Sequence, residues 1–251
     1  MGGIRAGGTG LLVIALLAGG VFSSCAGGSG SASDGARPAA AAPQPLTLEQ
    51  AERLAGMRTA NYEARSASFR TRVPSQGRIL ELEGVIDWTR HAGSAVYRDT
   101  GASGPDAGGL VQWDFSKVAA HSGGAVDGPP PAPPRDGAWQ VRPIAPTEHV
   151  LDTLLLLLLN LASPQVDNPV LLQQGDARFL GTEQVDGREA WRFSGPSASG
   201  DGEGGRLVYT VRDDGRIARL EATLGATPVE VEFDAAVPAA VELLPDVGSD
   251  G

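Results

Sequence analysis

Cysteine, lysine and aromatic residues are all scarce in this chain of 251 residues, and each shortage closes off a class of protein. Cys25 is the only cysteine, and a lone thiol forms no internal disulfide, so the fold is not a disulfide-stapled scaffold. The three histidines, His91, His121 and His149, are scattered. His149 and Asp152 share a helical face, but one histidine with one carboxylate falls short of the three or four ligands of a metal site. Lys117 is the only lysine, and the formal charge is −10. Without a basic block to neutralise phosphates, nucleic acid is excluded as a partner, and so is adhesion to anionic lipid by charge alone. There is no G-x-S-x-G elbow to present a serine nucleophile. The run Gly200-Asp201-Gly202-Glu203-Gly204-Gly205 lacks the Lys-Ser/Thr of a phosphate-binding loop and reads as a hairpin loop. The pairs Glu81/Glu83 and Glu230/Glu232 read as solvated strand faces. No catalytic group, no metal and no cofactor is expected, and the chain is expected not to be an enzyme.

No apolar run reaches the ~20 residues that span a bilayer. The longest near the start, Leu11 to Ala18, has the length of a signal-peptide core, with Arg5 before it. The sequence Phe22-Ser23-Ser24-Cys25 closes it and resembles a bacterial lipobox, where a signal peptidase cuts before a lipidated cysteine. The alternative is an ordinary secretory signal with an incidental cysteine. On the first reading residues 1–24 are a lipoprotein signal peptide. The mature chain then begins at Cys25 on the extracytoplasmic face of a cell membrane, held by acyl chains. Residues 25–45, mostly Gly, Ser, Ala and Pro, have no apolar periodicity and read as a disordered tether. One folded domain is expected over residues 46–245, with a tail over 246–251.

Within that domain Thr47 and Gln50 have capping-box spacing, which predicts a helix from Leu48 to Arg65 with Leu48, Ala51, Leu54, Ala55 and Arg58 near one face. From Ile79 to Thr89 the residues alternate: Leu80, Leu82, Ile86 and Trp88 on one side, Glu81, Glu83 and Asp87 on the other. That is a half-buried antiparallel strand. Ser94 to Arg98 and Leu110 to Val118 are shorter strand candidates around a loop at Gly101 to Gly109. Residues 122–137 form a proline-rich surface loop. Asp186-Gly187 joins two strands, Arg178 to Val185 and Arg188 to Ser194, in a strong hairpin signal. Three more alternating runs follow, around Tyr209, Leu220 and Val231. Trp88, Trp113, Trp139 and Trp191 fall on strands and are expected in the core.

The middle of the chain holds six consecutive leucines, Leu154 to Leu159. Leucine favours helix and lacks the β-branching of strand residues, so a helix from Glu148 to Ala162 is expected, its acidic Glu148 and Asp152 solvated at the positive end of the dipole. Such a helix is apolar nearly all round and needs cover on every side. Three covers are open: a strongly curved sheet, a second subunit, or a bound apolar ligand.

Two runs in the C-terminal half, Phe179 to Phe193 and Leu207 to Ile217, look like paired hairpins. With the lipidated cysteine, tether, first helix, antiparallel strands and apolar helical insert, this order resembles the LolA/LolB and LppX/LprG group of bacterial lipoproteins. The resemblance implies an α+β fold, a curved antiparallel β half-barrel wrapping helices, whose concavity takes acyl chains and catalyses nothing. The candidate lining is Leu80, Leu82, Ile86 and Trp88 from the sheet with Leu151, Leu154, Leu155 and Leu158 from the leucine helix. The expected function is to bind or carry a lipid or acylated molecule. The alternative is a non-catalytic envelope interaction or signalling lipoprotein with a closed core. Cys25→Ala is expected to release the protein into the medium; membrane fractionation checks this, and unchanged retention would contradict the anchor.

Overall fold

The computed structural model describes residues 42–75, 77–123, 128–135, 138–196, 207–238, 240, 242–245 and 247. The expected signal peptide, Cys25, most of the tether and the Gly-rich run at 200–205 lie outside these residues.

The first helix, α1 (Leu48–Ala64), starts at the capping box read from the sequence: the Thr47 side chain accepts from the Gln50 N–H, and the Gln50 side chain accepts from the Thr47 N–H. Its buried face centres on Leu54, Met57 and Asn61. Leu48, expected on that face, sits at its margin in the first turn and is 51% exposed. Asn61 is buried and fully used. Its Nδ2 donates to the Leu161 carbonyl at 2.7 Å and its Oδ1 accepts from the Ile217 N–H at 3.1 Å. A polar group buried without partners would be costly; here it fixes the helix to two other elements.

Two antiparallel meanders follow. The first is β2 (Ser66–Ser75), β3 (Arg78–Asp87), β4 (Ala92–Asp99), β5 (Gly108–Trp113), β6 (Lys117–Ser122) and β7 (Gln140–Pro143). The second is β8 (Arg178–Val185), β9 (Arg188–Ser194), β10 (Leu207–Val211), β11 (Ile217–Leu224) and β12 (Thr227–Phe233), with β1 (Gln44–Pro45) paired outside β8. Pairing of β12 with β2 joins them into one open sheet of order β1-β8-β9-β10-β11-β12-β2-β3-β4-β5-β6-β7. This is the expected α+β arrangement, a large antiparallel sheet that is not closed, with a few helices. The Asp186-Gly187 hairpin is as read, with both residues at positive φ (53° and 74°), the demand of its tight turn.

The sequence reading needs correcting in the strands and at both ends of the domain. Leu110 to Val118 is a hairpin of β5 and β6, not one strand: Asp114 Oδ1 accepts from the Ser116 and Lys117 N–H groups at 2.7 and 2.9 Å and turns the chain. The loop expected at Gly101 to Gly109 holds a 3-10 turn at Gly104–Ala107, and β5 already starts at Gly108. Part of the tether, Gln44–Pro45, is paired as a strand. Val247, placed in the tail, is buried on the outer face with Leu243, Ala92 and Ala119. Gln112 pins this segment, donating to the Glu242 carbonyl and accepting from the Leu244 N–H.

Strand order dictates where the leucines go. β7 lies at one edge of the sheet, and β8 lies next to the other edge. The connection between them must cross a face of the sheet, and it carries α2 (Val150–Leu159) and α3 (Pro169–Gln174). The leucine helix is shorter than the expected span of Glu148 to Ala162, because His149 is its N-cap and Asn160 turns back to bond the Leu156 carbonyl at 2.8 Å. Leu154, Leu155, Leu158 and Leu159 are fully buried with Phe69, Ile86, Phe193, Leu220 and Val231. Each such leucine contributes about 1.5–3 kcal/mol relative to exposure. Leu151, Leu156 and Leu157 are only half-buried.

Two indoles fasten the sheet to this helix. Trp88 Nε1 donates to the Leu158 carbonyl at 3.0 Å, and Trp113 Nε1 donates to the Leu155 carbonyl at 3.2 Å. The Trp113 ring lies across Gly93, where any side chain would collide with it: an added Cβ would stand 2.1 Å from Cζ2. It meets Phe69 edge-on at 6.1 Å. Trp113→Phe, which keeps a ring and deletes the N–H, is expected to cost about 1–2 kcal/mol, read as a lowered urea midpoint with an unchanged slope.

Candidate functional site

Two apolar clefts open beside α2, one on each side of its buried core. The larger, about 540 Å³, lies between α1, α2, α3 and the sheet; Leu54, Met57, Leu157, Leu161, Leu172 and Tyr209 wall it. Its polar rim is Arg58, Asn160, Asp167 and Asn168. Arg58 is fixed there: Nε donates to the Asn160 carbonyl at 3.1 Å and Nη1 meets Asp167 at 3.2 Å. Burial pushes the Tyr209 hydroxyl up to about 12, with the Arg58 charge pulling against it, so the phenol is neutral across the physiological range.

The smaller cleft, about 390 Å³, lies toward the β7 edge and is walled by Leu80, Leu82, Tyr97, Val111, Val118 and Leu151. Arg142 stands at its rim and closes it against α2. Arg142 Nη1 and Nη2 grip both Asp152 oxygens at 2.5 and 2.7 Å, and the Ala145 N–H donates to the same carboxylate at 2.7 Å. Asp152 has no exposed surface. The expectation that this residue is a solvated helix-end carboxylate is therefore overturned; its strand partner was not visible because β7 was not recognised as a strand. Burial drives the Asp152 carboxyl upward, but the hydrogen bonds from Arg142 and Ala145 and the Arg142 charge outweigh it and hold the group below the usual carboxylate range.

A third hollow, about 500 Å³, lies on β2, β3, β4 and β12 and is mostly charged. Its arginines are paired: Arg72 and Arg98 both pair with Glu81, and Arg70 pairs with Asp234 at 2.9 Å. Exposed pairs of this kind are worth little, and the carboxylates read from the sequence as a solvated face are that.

Of the eight lining candidates, the structure brings Leu80, Leu82 and Leu151 together on the smaller cleft. Ile86, Trp88, Leu154, Leu155 and Leu158 are packed in the core and wall neither cleft. The larger cleft was missed. Tyr209 and Leu161 were available from strand alternation and the leucine block, but α3 and the fold of 160–177 onto α1 gave no periodic signal. Among the described residues, no group of three His, Cys, Asp or Glu side chains is placed to hold a metal ion.

No family model and no curated protein matches the chain. Among solved structures it is similar to the lipoprotein LppX of Mycobacterium tuberculosis, at 13% identity over 75% of this chain and 98% of that one, with a TM-score of 0.42. It is similar also to LprF of Mycobacterium bovis, at 12% identity over 80% and 99% of the two chains, TM-score 0.39. A putative outer membrane lipoprotein-sorting protein domain from Vibrio parahaemolyticus is similar at 8% identity over 75% and 92% of the two chains, TM-score 0.27. These likenesses say nothing about what the two clefts hold.

The Asp152 clamp has a pH signature. A carboxyl held below its unfolded value contributes stability that is present above about pH 4 and is lost as pH falls through the lower folded value. Asp152→Asn is expected to flatten the fall in melting temperature below pH 4 relative to the parent protein. Asp152→Ala should cost about 2 kcal/mol at neutral pH, less than a fully buried pair because Arg142 keeps access to water. Melting curves from pH 7 to pH 2 check both.

Proposed function

We propose that this protein is an extracytoplasmic lipoprotein, anchored by acyl chains on Cys25, whose half-barrel holds an acyl chain of a lipid or acylated molecule in the cleft between α1, α2, α3 and the sheet. One observation carries the reading: Leu157, within the run of six leucines that ends α2, is left half-buried on the wall of an apolar cavity of about 540 Å³. Sites for small apolar ligands run from about 300 to 1,000 Å³ with a few polar groups at one end, and this cleft has that form. Covering its apolar wall returns about 25 cal/mol for each Å² removed from water. The rim of Arg58, Asn160, Asp167 and Asn168 faces the polar end of the guest. Leu80, Leu82 and Leu151 line the smaller cleft, which suits a second chain, and Ile86, Trp88, Leu154, Leu155 and Leu158 back the wall between the two. The protein binds its guest and leaves it chemically unchanged.

A sealed interaction lipoprotein is the second reading, and the four leucines packed without exposure favour it. Native mass spectrometry after mild extraction separates the two. Lipid mass on the released protein, and uptake of a fluorescent fatty acid that Leu157→Trp weakens at least tenfold while Leu151→Trp weakens it less, support the carrier. Protein released bare and unable to take up the fatty acid favours the sealed core.

A further inference from the structure

α3 buries none of its six residues, and exposed apolar side chains cluster around it among polar ones. Among the described residues, eight large apolar side chains are exposed, and four of them gather at this corner: Leu48 (51%), Val166 (62%), Val170 (46%) and Leu171 (66%). They are neighbours through the backbone. Asp167 N–H donates to the Ala55 carbonyl at 3.4 Å, and Gln173 Nε2 donates to the Leu46 carbonyl at 3.4 Å, so α3 lies along the first half of α1 and Leu48 flanks it. The larger cleft opens beside the same patch, since Asp167, Asn168, Leu171 and Leu172 belong to its wall. A contiguous apolar patch rimmed by polar groups marks an interaction site.

The chain itself indicates the partner. Residues 26–43 connect Cys25 to Gln44, and Gln44–Pro45 and Leu46 enter the fold at this corner, through β1 and the Leu46–Gln173 contact. Eighteen residues reach at most about 60 Å when fully extended, and their fixed end is beside the patch. The charges nearby are mixed, Glu49, Glu52, Asp167 and Asp176 with Arg53 and Arg58, so attachment draws on apolar insertion and not on attraction to anionic lipid.

We infer that the α3 corner docks on the bilayer that carries the Cys25 anchor and seats the mouth of the larger cleft against lipid. This rests on the anchored-carrier reading above. An acyl chain then moves between bilayer and cleft without exposing its methylenes to water, each of which costs about 0.8 kcal/mol when wetted.

The test uses the acylated protein on phosphatidylcholine vesicles, with spin labels placed singly at Val170→Cys and at Val141→Cys on the far edge strand. On vesicles the label at 170 is expected to gain collisions with oxygen over those with a water-soluble nickel chelate at least threefold, while the label at 141 stays unchanged. Equal access of the nickel chelate to both labels overturns docking. So does a label at 170 that is shielded before vesicles are added, which would assign the patch to a second copy or to residues ahead of Ala42. Neither Val166 nor Val170 walls the cleft, so the double variant Val166→Asp/Val170→Asp should slow uptake of fluorescent fatty acid from vesicles at least fivefold and leave its affinity in free solution unchanged. Intact uptake from solution with no effect on transfer from vesicles removes the docking surface alone. No uptake by the parent protein in either format removes the carrier reading, and failure of the acylated parent protein to float with vesicles removes the anchor and the docking together.

Discussion

A connection that must cross the whole sheet governs this fold. With β7 at one end of the strand order and β8 near the other, residues 144–177 have no route except over one face. A polar crossing would leave that face and its own backbone badly matched, whereas a run of leucines matches it. The consequence runs in both directions. The sheet's inner residues, Phe69, Ile86, Phe193 and Leu220 among them, gain a partner, and the leucines gain cover that water would deny them. Of the covers open to an all-apolar helix, the sheet supplies one side and α1 closes part of another; the half-buried Leu151 and Leu157 mark where cover stops and the clefts begin.

An apolar helix on an apolar sheet has little to fix its rotation or its position along the axis. Directional contacts do that here. Two indole N–H groups reach carbonyls one turn apart on α2. At its first turn Asp152 is held by Arg142 and by the Ala145 N–H, and beyond its end Asn61 holds the Leu161 carbonyl. These bonds set which leucines face inward and therefore which remain to wall a cleft. The polar residues of the core define the site by deciding where the greasy ones point.

Much of this was legible in the sequence, and the failures have physical causes. The capping box at Thr47, the Asp186-Gly187 hairpin and the alternation through Leu80, Leu82 and Ile86 are local signals, and the structure keeps them. In β2 the alternation of Phe69, Thr71 and Val73 was hidden by Arg70, Arg72 and Pro74, which are polar or strand-averse but sit on the outer face where charge pairs across strands are tolerated. β1 and β7 are two and four residues long, too short for any period. α3 is less than two turns of helix started by Asn168 and Pro169, and its exposed Val170 and Leu171 gave no stripe. The clefts depend on how 160–177 folds back onto α1, a long-range matter that no window of sequence encodes. The eight apolar lining candidates look alike in sequence, and three-dimensional packing separates those on a cleft from those in the core.

The seam between the two meanders carries a temporal consequence. β12 meets β2 through three residue pairs, Val231–Thr71, Glu232–Arg70 and Phe233–Phe69, between positions roughly 160 residues apart. Contacts so distant in sequence form late, since closing the intervening loop is entropically costly. As such a polypeptide is made from its amino end, its leucine block is complete long before β12 arrives to finish the trough. For that interval the most adhesive stretch of the molecule has half a bed to lie in, and correct folding depends on keeping those leucines from other partners until the last strands close over them.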